Sequence, residues 1–410
     1  MGCHREEILL RVLSFRHAFV LDPRRGGARR CPLMRVVLAA AGVALLIGGC
    51  ASTADVGGPR QAQPPPRIAD LLLVGFSGTE VAGNEELRAL VCDVKVGGVI
   101  LFEHDVATRT PRNIVSPEQV ARLTADLQGL ARSCAGRPLL IAADAEGGLV
   151  MRLSVRAGYP PTPSHQELGD AGDVAQTELE AQRLGARLRE AGINWNLAPV
   201  VDVAVNPTNP AVVTLGRTFG SDPEQVVAHA RAFIAGMHAA GILTSLKHFP
   251  GHGSSRVDSH LGFTDVTDTA DLDVELLPYR RLIKEGLADS VMPGHVFNRT
   301  LDPWYPASLS RATVARLLRA HLGYTGVVVS DDLLMGAITQ HYGLEESALL
   351  ALRAGVDVLL ISQNSVKNEP RAAARVVAAI EQALEEWRLS CRTVRAAIAR
   401  VAALRARLAP

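Results

Sequence analysis

GVVVSDD, residues 326–332, decides the fold: a wholly apolar run stops at Ser330 and two carboxylates, Asp331 and Asp332. A strand covered on one face alternates apolar and polar residues. A run this uniform predicts a strand buried on both faces, with its polar residues gathered at the carboxyl tip. Seven other segments share the pattern: LLLVGFSG (71–78), GGVILFE (97–103), PLLIAADA (138–145), INWNLAPV (193–200), LTSLKHF (243–249), SVMPGHV (290–296) and VDVLLIS (356–362). Between them lie stretches with apolar residues at helical spacing, among them EQVARLTADLQGLARS, QTELEAQRLGARLREAG, PEQVVAHARAFIAGMHAAG and EESALLALRAG. Gly192, Gly241 and Gly355 follow three of them, where a left-handed cap is expected. Eight strand–helix units in about 345 residues predict an α/β fold, a (βα)8 TIM-type barrel. An open doubly wound sheet usually carries a glycine-rich phosphate turn after its first strand, and no G-x-G-x-x-G stands there. The barrel domain is expected over 67–410, with 370–407 as one or two helices covering its outside.

Residues 1–50 read as a leader. In MRVVLAAAGVALLIGGC, 34–50, Arg35 precedes an apolar run and Gly48-Gly49 precede Cys50, the layout of a secretory signal. The apolar run is short for a permanent membrane span. A cysteine after small residues resembles a bacterial lipoprotein signal, in which Cys50 becomes the lipidated first residue. The alternative is a single-pass anchor. Residues 51–66 are small and Pro-rich and are expected to form a flexible tether. The expected location is the cell envelope, lipid-anchored at Cys50 to a bacterial membrane and facing the periplasm or exterior. The charged stretch before Met34 lacks a clear element, so Met34 is expected to be the true start.

Composition narrows the partners. Hydrophobic residues make up 48% and charged residues 21%, suited to a large core. A formal net charge of +1 gives no general pull toward nucleic acid or acidic lipid, and 4% aromatics argue against a base-stacking surface. The six cysteines fit neither a zinc site nor a small disulfide framework; Cys92, Cys134 and Cys391 read as small apolar residues on helices.

Polar residues interrupt the apolar runs at their carboxyl tips: Asp144, Asn194 and Asn196, Lys247 and His248, His295, then Asp331 and Asp332. Such tips converge on one barrel face, where barrel enzymes keep their chemistry. LKHFPGHGSSRVDSH, 246–260, adds His252, Asp258 and His260, with Gly251 and Gly253 allowing a mobile loop. Asp258 and His260 are two apart, so an extended segment points both to one side. A carboxylate beside an imidazole orients it and raises its proton affinity, which makes a proton donor near neutral pH. These histidines and Asp258 also suit a metal, but Lys247 would set a positive charge beside it. Asp331 is placed to attack an anomeric carbon, and Asp332 to cap or orient. In AADAEGGLVMRL, 142–153, Asp144 and Arg152 could hold hydroxyls while Gly147 and Gly148 admit close backbone approach. LGRTFGSDPEQV, 215–226, offers Arg217, with Ser221 or Asp222 as a helix cap.

D-x-E-G-G, G-I-N-x-x-x-A-P-V, G-R-x-F-G, K-H-F-P-G-H-G, D-S-H and S-D-D-L-x-M occur in that order. Together they resemble the bacterial β-N-acetylglucosaminidases of glycoside hydrolase family 3, from about residue 70 to 407. The resemblance implies a single catalytic barrel domain without cofactor or metal. It implies Asp331 as nucleophile, His260 as acid/base and Asp258 as its dyad partner on a flexible loop. It further implies Asp144, Arg152, Arg217, Lys247 and His248 as sugar contacts, with Met335 lining the pocket. The family's usual basic residue after E-G-G is Leu149 here, and no role is assigned to it. Larger members carry a further domain after the barrel; this chain ends at 410, so the chemistry is expected from the barrel and its loops. The expected activity is retaining exo-hydrolysis of terminal β-linked N-acetylglucosamine, from peptidoglycan fragments, by a monomer. Alternatives are phosphorolysis of the same bond and a non-catalytic wall-binding lipoprotein. The precursor's mass tests the start: a chain beginning at Met34 is expected, and one beginning at Met1 refutes it.

Overall fold

A computed structural model of the chain describes residues 67–365, 369 and 371–408. The expected leader, the expected tether and the expected lipidation site Cys50 lie outside the described residues. All eight apolar runs contain a strand: β1 (Leu72–Gly75), β2 (Gly98–Ile100), β3 (Leu140–Ala143), β4 (Trp195–Asn196), β5 (Ser245–Phe249), β6 (Ser290–Pro293), β7 (Val327–Val328) and β8 (Leu359–Ile361). Every residue in them is buried, which is why the runs do not alternate.

The strands pair in parallel in two arcs, β8-β1-β2-β3-β4 and β7-β6-β5. Isolated parallel bridges join the arcs, Trp195 to Leu243 and Val200 to Lys247 on one side, Val329 to Val358 on the other. Backbone hydrogen bonds cross the same gaps: the Leu243 N–H donates to the Asn194 carbonyl (3.0 Å) and the Ser330 N–H to the Val358 carbonyl (2.8 Å). The ring is thus continuous and all-parallel, the pattern of a (βα)8 barrel.

Helices follow the strands as the periodicity predicts: α1 (Pro117–Ala135), α2 (Val174–Glu190), α3 (Pro223–Ala239), α4 (Leu277–Lys284), α5 (Ala312–His321) and α6 (Leu344–Ala354). Short turns at Glu85–Arg88 and Ala89–Val94 fill the first crossover. Ser116 and Asp222 cap α1 and α3, each followed by proline at the first helical position. Gly192, Gly241 and Gly355 hold positive φ as expected. Two helices, α7 (Ala372–Glu385) and α8 (Cys391–Arg405), complete the described chain. No helix among the described residues is long and apolar enough to cross a membrane.

The cysteine expectation needs correction. Cys92 and Cys134 sit on helical segments, but they form a disulfide with their Cα atoms 4.9 Å apart. The first crossover folds back against α1, which brings together residues 42 positions apart that spacing alone does not pair.

The amino-terminal rim carries three buried carboxylates, Asp70, Asp289 and Asp357, each just before a strand. A buried charge must be matched. Asp70 pairs with Arg137. Asp289 accepts from the Thr244 N–H (2.8 Å) and hydroxyl (2.9 Å) and pairs with His238 (2.7 Å) and Arg407 (2.6 Å). Asp357 accepts from the Val328 N–H (2.9 Å) and pairs with Arg319 (2.6 Å) and Arg400 (2.7 Å). Arg400 on α8 and Arg407 just beyond it thus tie the last helix across the floor of the barrel. Asp357→Ala strands two guanidiniums and is expected to lower unfolding free energy by about 3 kcal/mol. Denaturant titration measures it, and a loss under about 0.5 kcal/mol counts against this role.

Candidate active site

At the opposite rim a cavity of about 430 Å³ opens among the strand tips. Its wall contains Asp144, Arg152, Arg217, Lys247, His248 and Met335, and also Asp331 and His260. The structure therefore gathers every proposed contact residue and both proposed catalytic groups around one space. Asp258 stands behind His260.

The cavity floor is an ion network. The Lys247 ammonium, nearly buried, donates to Asp144 (2.8 Å) and to Glu146 (2.7 Å). Arg217 donates two parallel bonds to Glu146, each 2.8 Å. Arg152 lies 3.5 Å from Asp144, its guanidinium over the Phe102 ring. Burial opposes the charge on Glu146, yet Arg217 and Lys247 hold its carboxyl well below the usual range. Burial also opposes ionised Asp144, and Lys247 and Arg152 outweigh it. Lys247 is raised because the two carboxylates outweigh its own burial. Asp144, Glu146, Lys247 and Arg217 are thus charged at neutral pH and fixed by bidentate or short bonds, a preorganised polar surface.

His248 joins this network to the barrel wall. Its Nε2 accepts from Arg217 (3.3 Å), so Nδ1 carries the proton and donates to Asp202 (2.7 Å). Asp202 is fully buried and also accepts the N–H groups of His248 (3.1 Å) and His252 (2.8 Å). Burial works against its charge, but His248 and His252 keep its carboxyl lowered.

Asp331 emerges three residues past the end of β7 and accepts the Asp332 N–H (2.8 Å). Burial would raise its pKa, but the imidazoles of His295, His248 and His260 bring it below the ordinary value. An anionic carboxylate is the form a nucleophile needs. Asp332 does the fastening. It accepts the Ser362 hydroxyl (2.5 Å) and the N–H groups of Ser362 (2.9 Å) and Leu334 (3.2 Å), and burial pushes its carboxyl up to about 6. His295 stands behind this pair, hydrogen-bonded to the Asp332 carbonyl (2.8 Å) and the Ser308 hydroxyl (2.6 Å).

The Asp258–His260 pair forms by a route the spacing does not predict. The segment is a turn, not an extended strand. One Asp258 oxygen accepts both the backbone N–H of His260 (2.9 Å) and its ring Nδ1–H (2.7 Å). The short side chain closes on the residue two positions on, so both groups still meet. The crowded mouth of the cavity disfavours the imidazolium, but the bond to Asp258 and the charge of Asp331 raise its pKa above 6.5.

Two tip residues have structural duties instead. Asn196 exchanges bonds with the Ala145 backbone (3.0 and 2.9 Å), and Asn194 bonds the Ile141 N–H (2.9 Å) and Leu139 carbonyl (3.0 Å). They lock β4 to β3. Glu146 and Asp202 are two buried carboxylates that sequence reasoning left without a role. Glu146 stood within D-x-E-G-G, two past a strand tip; Asp202 follows an apolar stretch in a loop and carries no comparable signal. Gly147 and Gly148 serve as read: a Cβ at either would meet Pro163 or Ser164. Among the described residues no group of three histidines, cysteines or carboxylates could hold a metal ion.

Known proteins resemble this chain in sequence and fold. The model of the glycosyl hydrolase family 3 N-terminal domain matches residues 66–404. Beta-hexosaminidase LpqI of Mycobacterium tuberculosis is 35% identical over 363 residues, covering 87% of this chain and 86% of that one. A beta-hexosaminidase of Alkalilimnicola ehrlichii is 37% identical over 314 residues, covering 75% and 83% respectively. The structure of a family 3 β-N-acetylglucosaminidase from Paenibacillus sp. str. FPU-7 superposes with a TM-score of 0.76 at 36% identity, over 83% of this chain and 62% of the other. With the profile match spanning nearly the whole described chain, this protein belongs to glycosyl hydrolase family 3.

Proposed function

We propose that this glycoside hydrolase is a retaining, exo-acting β-N-acetylglucosaminidase. Asp331 acts as nucleophile and His260 as acid/base, and the natural substrates are peptidoglycan fragments. The observation that carries the reading is the pairing of one lowered carboxylate, Asp331, with one raised imidazole, His260, in the wall of a single cavity. In the first step an Asp331 oxygen forms a bond to the anomeric carbon. The glycosidic bond breaks toward its oxygen, which takes the proton from His260 Nε2. In the second step neutral His260 removes a proton from water, and the resulting hydroxide displaces Asp331 with a second inversion. Asp144, Arg152, Arg217, Lys247 and His248 hold the sugar's hydroxyls, and Met335 packs against it. The N-acetyl preference rests on K-H-F-P-G-H-G and on the beta-hexosaminidase relatives. The other acids of the cavity floor, Asp144 and Glu146, are spent on Lys247 and Arg217.

Export supports the wall-fragment substrate, and the lipid anchor at Cys50 remains part of this proposal, as does action as a monomer. The Cys92–Cys134 disulfide favours an oxidising compartment outside the cytoplasm.

Asp331→Asn is expected to reduce kcat on an aryl N-acetyl-β-glucosaminide by on the order of 10³-fold or more. His260→Ala is expected to lose about 10²-fold on a substrate with a poor leaving group and under about tenfold on a 4-nitrophenyl one. Wild-type rates in both variants defeat the assignment.

The pH profile gives a separate check. His260 must be protonated for the first step, and its pKa is raised. The alkaline limb of kcat/KM therefore lies above the ordinary imidazole value of about 6.5. Asp258→Asn removes the charge that holds this proton, so the limb moves to lower pH. A limb that stays in place in Asp258→Asn dissociates the pair.

A further inference from the structure

The Asp258–His260 bond aims the imidazole relative to its own loop, since both residues belong to the turn at 258–260. It does not aim the imidazole relative to the sugar, which sits on the barrel. His260 itself is 59% exposed and gains little from packing. Another contact must fix the loop against the barrel, and the structure shows which side chains make it. Ser259, between the dyad residues, is almost wholly buried. Its hydroxyl lies 3.0 Å from Nε2 of His252, a histidine that is 2% exposed. The other ring nitrogen of His252 meets the Ser255 hydroxyl at 2.7 Å, and its backbone N–H is held by Asp202 at 2.8 Å. The ring therefore has both edges and its root fixed. Further contacts lie around it: the Ala337 N–H donates to the Ser259 carbonyl (3.3 Å), Gln340 donates to the Leu261 carbonyl (3.1 Å), and Phe263, three residues on, packs against the Phe297 and His341 rings with centroids 5.1 and 5.7 Å away. Gly336 has no Cβ to collide with the His260 carbonyl.

We propose that His252 is a positioning residue: its imidazole clasps Ser259 and so holds His260 over the leaving-group oxygen. This rests on the assignment of His260 as acid/base. Asp202 carries both ends of the arrangement, because it also orients His248 of the sugar-contact floor. A displacement of His252 is thus transmitted to one end of the glycosidic bond while His248 keeps the other. The clasp is a neutral hydrogen bond: burial pulls the His252 pKa down to about 4. Neither Ser259 nor His252 lines the cavity, so their effect on the reaction runs through His260.

The full chain is assayed on phenyl and 4-nitrophenyl N-acetyl-β-glucosaminides, in wild type, Ser259→Ala, Ser259→Thr, His252→Asn and His260→Ala. Losing one hydrogen bond of this kind is expected to lower kcat on the phenyl glycoside about tenfold in Ser259→Ala. The same variant is expected to stay within about twofold on the 4-nitrophenyl glycoside, whose departure needs little proton help. KM and Tm should change little, and Ser259→Thr, which keeps the hydroxyl, should restore most of the phenyl rate. His252→Asn should show the same leaving-group bias as Ser259→Ala, and combining the two should add little further loss. Equal losses on both substrates, or none on either, overturn the clasp. If His260→Ala itself lacks the bias, the acid/base assignment fails, an outcome separate from failure of the clasp alone.

Discussion

The carboxylate of Asp202 is the point from which both halves of the site are hung. It is fully buried and accepts from two backbone N–H groups and one imidazole, all from the stretch 248–252. One of its dependants, His248, faces Arg217 and the sugar-contact floor. The other, His252, faces the loop that carries the acid/base. A buried carboxylate costs free energy unless donors meet it, and here three do. Bonds on both oxygens make the geometry stiff. The proposed sugar floor and the loop that carries the proposed acid/base take their positions from the same few atoms, so they cannot drift independently by much.

A histidine in the acid role changes the electrostatics of the pocket. Two carboxylates near a glycosidic bond raise each other's pKa, and one enzyme class exploits this to keep its acid protonated. This cavity already holds Asp144, Glu146 and Asp105 as lowered carboxylates, and the proposed nucleophile Asp331 is another. A further anion at the leaving group would oppose the nucleophile's ionisation. An imidazole reverses the sign: its cationic form lowers the pKa of Asp331, and Asp331 raises that of His260. Each group favours the protonation state the other needs for the first step.

The barrel was legible because its strands are buried on both faces. That leaves uniform apolar runs, and all eight were recognisable from VVV-type segments ending in polar tips. The proposed catalytic pair stands out in the sequence because D-S-H and S-D-D-L place unusual charges at loop and strand ends. The roles of Asn194 and Asn196 were not, since an amide that bonds a neighbouring strand's backbone looks in sequence like one that awaits a ligand. Asp202 and the Cys92–Cys134 pairing were hidden for a related reason. Their meaning depends on which distant segments the crossovers bring together, and no local period encodes that. Glu146 shows the intermediate case: the motif marks it, but only the fold reveals that Arg217 and Lys247 neutralise it.

The two rims of the barrel divide the work. At the amino-terminal rim Asp289 and Asp357 are matched by cations from elements as distant as α8, so every buried charge there is consumed in holding the ring closed. At the carboxyl-terminal rim the floor ions are matched as completely, yet the loop above them is attached by few bonds and leaves its imidazole exposed. Few buried contacts mean a low free energy of local opening. On the proposed reading, a sugar has to enter the pocket and the proton donor has to reach the bond after it does. A lightly clasped loop on a rigid ring satisfies both requirements, whereas a donor placed on a strand tip would be as fixed as the nucleophile and would narrow the entrance.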